Sequence, residues 1–232
     1  MDCQVNADGD VALWSHYQIN DTDAAFDAAR PRLDALYGHI RRLSPSGRLL
    51  EIGFGDGYLL RRLAEHYECH GADISEENVQ RMAAKVPNAT FATVTVDGKL
   101  PYAENSFDLF VASEVLEHMD DAELETTVSE IHRVLKPGGR AVVSFPAREN
   151  LKELESFCPN CGNIFHKWGH KQRWDRAKIE RLFGRFSIEG VSERFFIDKR
   201  LNWFGKIAGI ARIGISKVRP TSGMTFLVTL RK

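Results

Sequence analysis

The 232-residue chain is long enough to bury one full core, and its composition, 43% hydrophobic and 27% charged, is that of an ordinary globular protein. A net charge of -1 supplies no global field for a polyanion, which disfavours nucleic acid and favours a small or uncharged ligand. No stretch approaches the roughly 20 apolar residues of a membrane span, and the polar start MDCQVNADGD lacks the apolar core of a signal peptide, so a cytoplasmic location is expected.

Apolar residues Ala25, Phe26, Ala29, Leu33, Leu36 and Ile40 recur at helical spacing, predicting a helix over 22–43 within an N-terminal helical cap, 11–44. Short apolar runs then alternate with helical patterns. Strands are predicted over 48–52, 69–73, 90–96, 107–112 and 140–145, and helices over 58–67, 76–86 and 122–135. A turn at Lys136, Pro137, Gly138 and Gly139 precedes the last of these strands. After Pro146 a loop-rich insertion, 147–173, breaks the pattern. A helix over 176–183, a strand over 188–197, a basic amphipathic segment over 199–219 and a final strand over 224–230 complete the chain. Strands alternating with helices imply one α/β domain, 1–232, with a mostly parallel sheet.

Residues 49–57 read LLEIGFGDG, a buried strand running straight into a glycine-rich turn and then a helix. Gly53 and Gly55 let the backbone turn sharply and approach a ligand. The dinucleotide fingerprint needs a third glycine at position 58, where this chain has Tyr, so NAD is disfavoured. Glu51 would repel phosphates and suits a cationic ligand; S-adenosylmethionine, with its sulfonium and ammonium groups, meets both conditions. Asp73, ending the second strand, is placed to accept from both ribose hydroxyls, with Ile74 against one face of the adenine. Asp97, before Gly98, is read either as an acceptor for the adenine amino group or as a turn former.

In order and spacing, LLEIGFGDG, GADIS, DGKLPYAENSFDLFVASEVLEHM and EIHRVLKPGGRAVVSFP resemble a class I methyltransferase of the small-molecule type, over about 47–146. The resemblance implies a Rossmann-like three-layer sandwich with a seven-stranded, mostly parallel sheet whose last strand is antiparallel. It also implies cofactor contacts at Glu51, Gly53, Gly55, Asp73, Asp97 and Ser113 or Glu114.

Glu114, Glu117 and His118 stand at i, i+3 and i+4, the spacing of one face of a helical turn, where a methyl acceptor must arrive. Three uses are open. His118 acts as a general base oriented by Glu117; or the three bind Mg or Mn, which grips neighbouring hydroxyls; or Glu117 and His118 cap the following helix. The metal version is similar to the ExxEH motif of ubiquinone-pathway O-methyltransferases and of small-RNA 3′-end 2′-O-methyltransferases, where a downstream histidine, here His170, would complete the shell.

FCPNCGNIFHKWGH has the spacing C-x2-C-x4-H-x3-H and resembles a zinc knuckle. Cys158, Cys161, His166 and His170 would close a structural tetrahedral zinc, and such a knuckle can borrow ligands across an oligomer interface. Alternatively the loop is reduced and its histidines face the active site. His170 cannot easily serve both metals. Cys3 and Cys69 read as plain thiols. The basic segment is read as a lid helix, with peripheral membrane contact as the alternative.

The sequence therefore predicts an O- or N-methyltransferase for a small molecule or a biosynthetic glycan or lipid intermediate. The rivals are a metal-dependent RNA 2′-O-methyltransferase and a non-enzymatic, zinc-stabilised cofactor-binding module.

Overall fold

Strand β1 (Arg48–Ile52) is buried along four of its five residues, as a strand covered on both faces must be. It lies near the centre of a seven-stranded sheet. The computed structural model describes residues 14–16, 18, 26–197, 203, 205, 207, 208, 211 and 223–232. In chain order the elements are α1 (Arg30–Leu43), β1, α2 (Tyr58–Leu63), β2 (Glu68–Asp73), α3 (Glu76–Lys85), β3 (Ala89–Thr93), β4 (Phe107–Ser113), α4 (Asp121–Val134) and β5 (Leu135–Pro146). A small hairpin, β6 (Glu155–Phe157) with β7 (Ile164–His166), then leads to α5 (Arg176–Leu182), β8 (Ser187–Arg194) and β9 (Thr225–Arg231).

The strand order is β3-β2-β1-β4-β5-β9-β8, parallel through β5 and with β9 antiparallel to both neighbours, as predicted. Alternate residues feed two cores. Leu49, Leu109, Val111, Val142 and Leu227 pack with α1, α2 and α3, whereas Leu50, Phe110, Ala141, Val143 and Phe226 pack with α4 and α5. The order reverses between β1 and β4, which opens a crevice at the carboxyl ends of the strands.

Several boundaries differ from the sequence prediction. Helix α1 starts at Arg30, because Pro31 occupies its first turn and Ala28 and Ala29 form a turn before it; residues 22–25 lie outside the described residues. The predicted turn at 136–139 is a bulge inside β5. Phe107 pairs with Leu135 but Leu109 pairs with Arg140, and Gly138 takes a φ of 79° within the bulge. Most of the basic segment, including Lys199, Arg200, Lys206, Arg212, Lys217 and Arg219, falls outside the described residues.

The insertion is anchored from below by Trp174, which is fully buried and stacks on Phe145 of β5 with ring centroids 3.8 Å apart. Phe145→Ala is expected to lower unfolding stability by about 3–5 kcal/mol in urea titrations. A loss below about 1 kcal/mol would show that this stack carries little of the core.

Candidate functional site

The crevice holds a cavity of about 630 Å³ that spans every strand end from β1 to β4. Beneath it, Gly53 still bonds to β2, its amide donating to Ala72 O at 2.8 Å, and then the chain turns with φ of 62° at Gly53 and 55° at Gly55. A Cβ at Gly53 would come within 2.5 Å of Val115, and one at Gly55 within 2.6 Å of Phe26. Both positions therefore require glycine for conformation and for space.

Glu51, in β1, is 3% exposed and is not among the residues lining the cavity, and its Oε2 lacks a hydrogen-bond partner among the described residues. Burial, with the charge of Asp56 adding to it, pushes its carboxyl up to about 8. A cation arriving above the loop would restore its charge.

Asp73, also 3% exposed, lines the cavity. Its Oδ1 accepts from the Ser75 amide at 3.0 Å, and its Oδ2 from Gln18 Nε2 at 3.1 Å and Asn78 Nδ2 at 3.4 Å. Burial outweighs these bonds and raises the carboxyl to about 6. Asn78 Nδ2 also donates to Gly55 O at 3.0 Å, tying the glycine loop to β2. Ile74 and Gly98 line the same end of the cavity. Asp97 is exposed, accepts from Thr95 Oγ1 and from the Lys99 amide as a turn former does, and is not among the residues lining the cavity.

At the other end stand Ser113, Glu114, Glu117, His118 and His170. Glu114 precedes a 3-10 turn over Leu116–His118 and has a φ of 55°, so the three motif residues do not share one continuous helical turn. Such strain in a non-glycine residue marks an imposed geometry. Its Oε1 accepts from Ser144 Oγ at 3.1 Å, and its Oε2 lies 3.7 Å from Arg32 Nη1. Ser113 Oγ meets Ser144 Oγ at 3.1 Å and accepts from Arg32 Nε at 3.3 Å.

Glu117 is 0% exposed, and neither carboxylate oxygen has a hydrogen-bond partner among the described residues. Burial first, and then the charge of Glu114, raise its carboxyl well above the usual range. His118 packs edge-on to Trp14 and His170, with centroids 4.5 and 4.8 Å away, and its Nδ1 faces Gly169 O at 3.4 Å. Burial and the nearby His170 push the imidazole down to about 3, so it is neutral at pH 7. The helix-capping reading fails: Asp120, not Glu117 or His118, caps α4, in a reciprocal box with Glu123.

The four knuckle residues are not brought together. Among the described residues the groups whose ligand atoms converge within 4.8 Å are Glu117, His118 and His170, and Glu149, His166 and His170, neither including a cysteine. Hairpin register is the reason. Glu155 pairs with His166 at the base of the hairpin, while Cys158 and Cys161 sit in the turn beyond the Phe157–Ile164 pair at its far end. Gln18, Arg32, Ser144 and Glu149 were missed from sequence. Only Arg32, a charged residue beside the apolar stripe of α1, left a sequence trace.

Because the Glu51 carboxyl holds its proton more tightly when folded, its contribution to stability is full below about pH 4.5 and is lost as pH rises through 8. In cofactor-free protein, Glu51→Gln is therefore expected to gain stability over wild type between pH 6 and 9. Parallel stability-against-pH curves for the two proteins in chemical denaturation would contradict it.

The comparisons with known proteins agree with this geometry. A family model described as a methyltransferase domain matches residues 50–143. An uncharacterized methyltransferase of Synechocystis sp. is 36% identical over 98 residues, 42% of this chain and 46% of that protein. The 2-methyl-6-phytyl-1,4-hydroquinone methyltransferase of the same organism is 32% identical over 197 residues, 80% of this chain and 60% of that protein. The chain thus spans less than two thirds of the length of either relative. The 1,6-didemethyltoxoflavin-N1-methyltransferase of Burkholderia thailandensis, solved with S-adenosylhomocysteine bound, superposes with a TM-score of 0.66 at 17% identity, covering 100% of this chain and 93% of its own. Residues 50–143 thus match a methyltransferase domain, and the sheet that completes it has the fold of the class I S-adenosylmethionine-dependent methyltransferases.

Proposed function

We propose that the chain transfers a methyl group from S-adenosylmethionine to an oxygen or nitrogen of a small molecule or of a biosynthetic glycan or lipid intermediate. The observation that carries this reading is the continuity of the cavity, which runs from Gly53, Gly55 and Asp73 to Glu117, His118 and His170. A volume of about 630 Å³ suits a nucleoside-sized cofactor with part of a modest acceptor. The phytyl chain in the name of one relative is consistent with a lipid-like acceptor.

When bound, the cofactor would supply an electrophilic methyl on a sulfonium, open to attack at carbon by an acceptor lone pair with the thioether sulfur as leaving group. The residues at the first end fit that group. Asp73 would offer two oxygens for vicinal hydroxyls, and the bare backbone of Gly53 and Gly55 allows close approach, with Glu51 buried behind the lining. At the second end, Glu117 and the neutral His118 bracket the space where the acceptor loses its proton. Most of the rate enhancement would come from holding donor and acceptor in line.

Asp73→Ala is expected to weaken S-adenosylhomocysteine binding more than tenfold in calorimetry, since hydrogen bonds to a charged group contribute about 1.5–3 kcal/mol each. Unchanged affinity would remove the ribose assignment. Incubation with methyl-labelled S-adenosylmethionine and fractionated small-molecule, glycan and lipid extracts is expected to yield a labelled product. Tight cofactor binding with no label transferred to any fraction would favour a non-enzymatic module instead.

A further inference from the structure

We infer that a second cavity, beside the glycine-rich loop, is a binding site for a phosphate group, and that filling it tightens cofactor binding through Arg81 and Asn78. The linkage rests on the reading of Gly55 and Asp73 as part of the cofactor end; the site itself does not. This cavity has a volume of about 210 Å³ and shares no lining residue with the larger one. It is walled by the starts of α1 and α2 and by the second half of α3, room enough for a hydrated phosphate group.

Five charged side chains line it, the basic Arg30, Arg61, Arg81 and Lys85 and the acidic Asp56. The acid is already engaged, since Asp56 Oδ2 accepts from Arg30 Nη2 at 2.5 Å and its Oδ1 accepts from the Tyr58 amide at 3.1 Å. Arg61, Arg81 and Lys85 form no ion pair among the described residues. Arg81 and Lys85 also stand at i and i+4 on α3, the spacing at which like charges on a helix repel. Three cations gathered without a counter-charge around one hollow call for an anion of more than one charge. Two further donors agree: Arg30 Nη1 and Arg81 Nε are buried with no acceptor among the described residues. Guanidinium forks present paired donors to a tetrahedral oxyanion, and Lys85 adds a point charge. A carboxylate, with a single charge, would leave most of this wall unmatched.

Arg81 connects the hollow to the first cavity. Its Nη2 donates to Asn78 Oδ1 at 2.6 Å, and Asn78 Nδ2 donates in turn to Gly55 O at 3.0 Å and Asp73 Oδ2 at 3.4 Å. Asn78 is fully buried, so its amide has no water to turn to. A guanidinium carries five donors, and an anion can engage the others while Nη2 stays on Asn78. Fixing Arg81 therefore fixes the amide that aims Asp73 and ties down the loop, which leaves less ordering for the nucleoside to impose. By reciprocity, the cofactor tightens phosphate by the same factor.

The test is calorimetric titration of the full chain, at constant ionic strength, with inorganic phosphate and separately with glycerol 3-phosphate. One equivalent is expected to bind to wild type, and to bind about tenfold or more weakly in Arg61→Gln and in Lys85→Gln, both exposed positions. Affinity should be unchanged in Lys152→Gln, an exposed lysine of the insertion. Tighter inorganic phosphate supports the free ion as occupant, and tighter glycerol 3-phosphate supports a phosphorylated metabolite. Absence of binding of both, or binding that survives both charge removals, overturns the site. S-adenosylhomocysteine affinity is expected to rise about fivefold in saturating phosphate in wild type, and not to rise in Arg81→Gln. No rise in wild type overturns the linkage, and a fall places phosphate in the first cavity and overturns the site as well. Wild type that binds phosphate but not S-adenosylhomocysteine would sink the methyl-transfer reading and leave the phosphate site standing.

Discussion

The reversal of strand order between β1 and β4 is the constraint from which the site follows. Strands laid to one side of β1 and then to the other leave two adjacent carboxyl ends whose connections part in opposite directions, which opens a gap between them. Glycines 53 and 55, Asp73 and the 113–118 turn all sit on that edge because each immediately follows or ends a strand. The remaining parts, α1 and the 147–173 insertion, cover it from above.

Electrostatics gives this crevice a consistent character. Burial holds Asp73 and Glu117, which line the cavity, and Glu51 behind it toward their protonated forms, and His118 toward its neutral form. A cationic cofactor would turn an unfavourable buried acid into a favourable pair. Arg32 contacts Ser113 and Glu114 and so ties α1 to the second end of the cavity.

Much of the sheet was legible from sequence because a strand covered on both faces must be a largely apolar run, as LLEI and FDLFVA are apart from Glu51 and Asp108. The end of the cavity at Gly53, Gly55 and Asp73 was legible for a related reason: each of these residues stands at or just beyond a strand terminus. What sequence misjudged depended on register. A spacing rule joined Cys158 and Cys161 to His166 and His170, but a three-residue hairpin separates its tip from its base. Likewise the i, i+3, i+4 rule assumed helical φ at Glu114, where the backbone is left-handed. Glu149 and Gln18 met their partners only through the fold, 21 and 55 residues away, and no local pattern could announce them.

The contact between Gln18 and Asp73 has a consequence for ligand exchange. The amide of Gln18 already sits on one carboxylate oxygen, and the ring of Phe26 rests against Gly55. If Asp73 receives a ribose as proposed, an incoming hydroxyl would replace or share one internal partner, and only the difference between the two bonds would contribute to affinity. The chain carries its own placeholder, a side-chain amide that holds this carboxylate in position at the cavity wall.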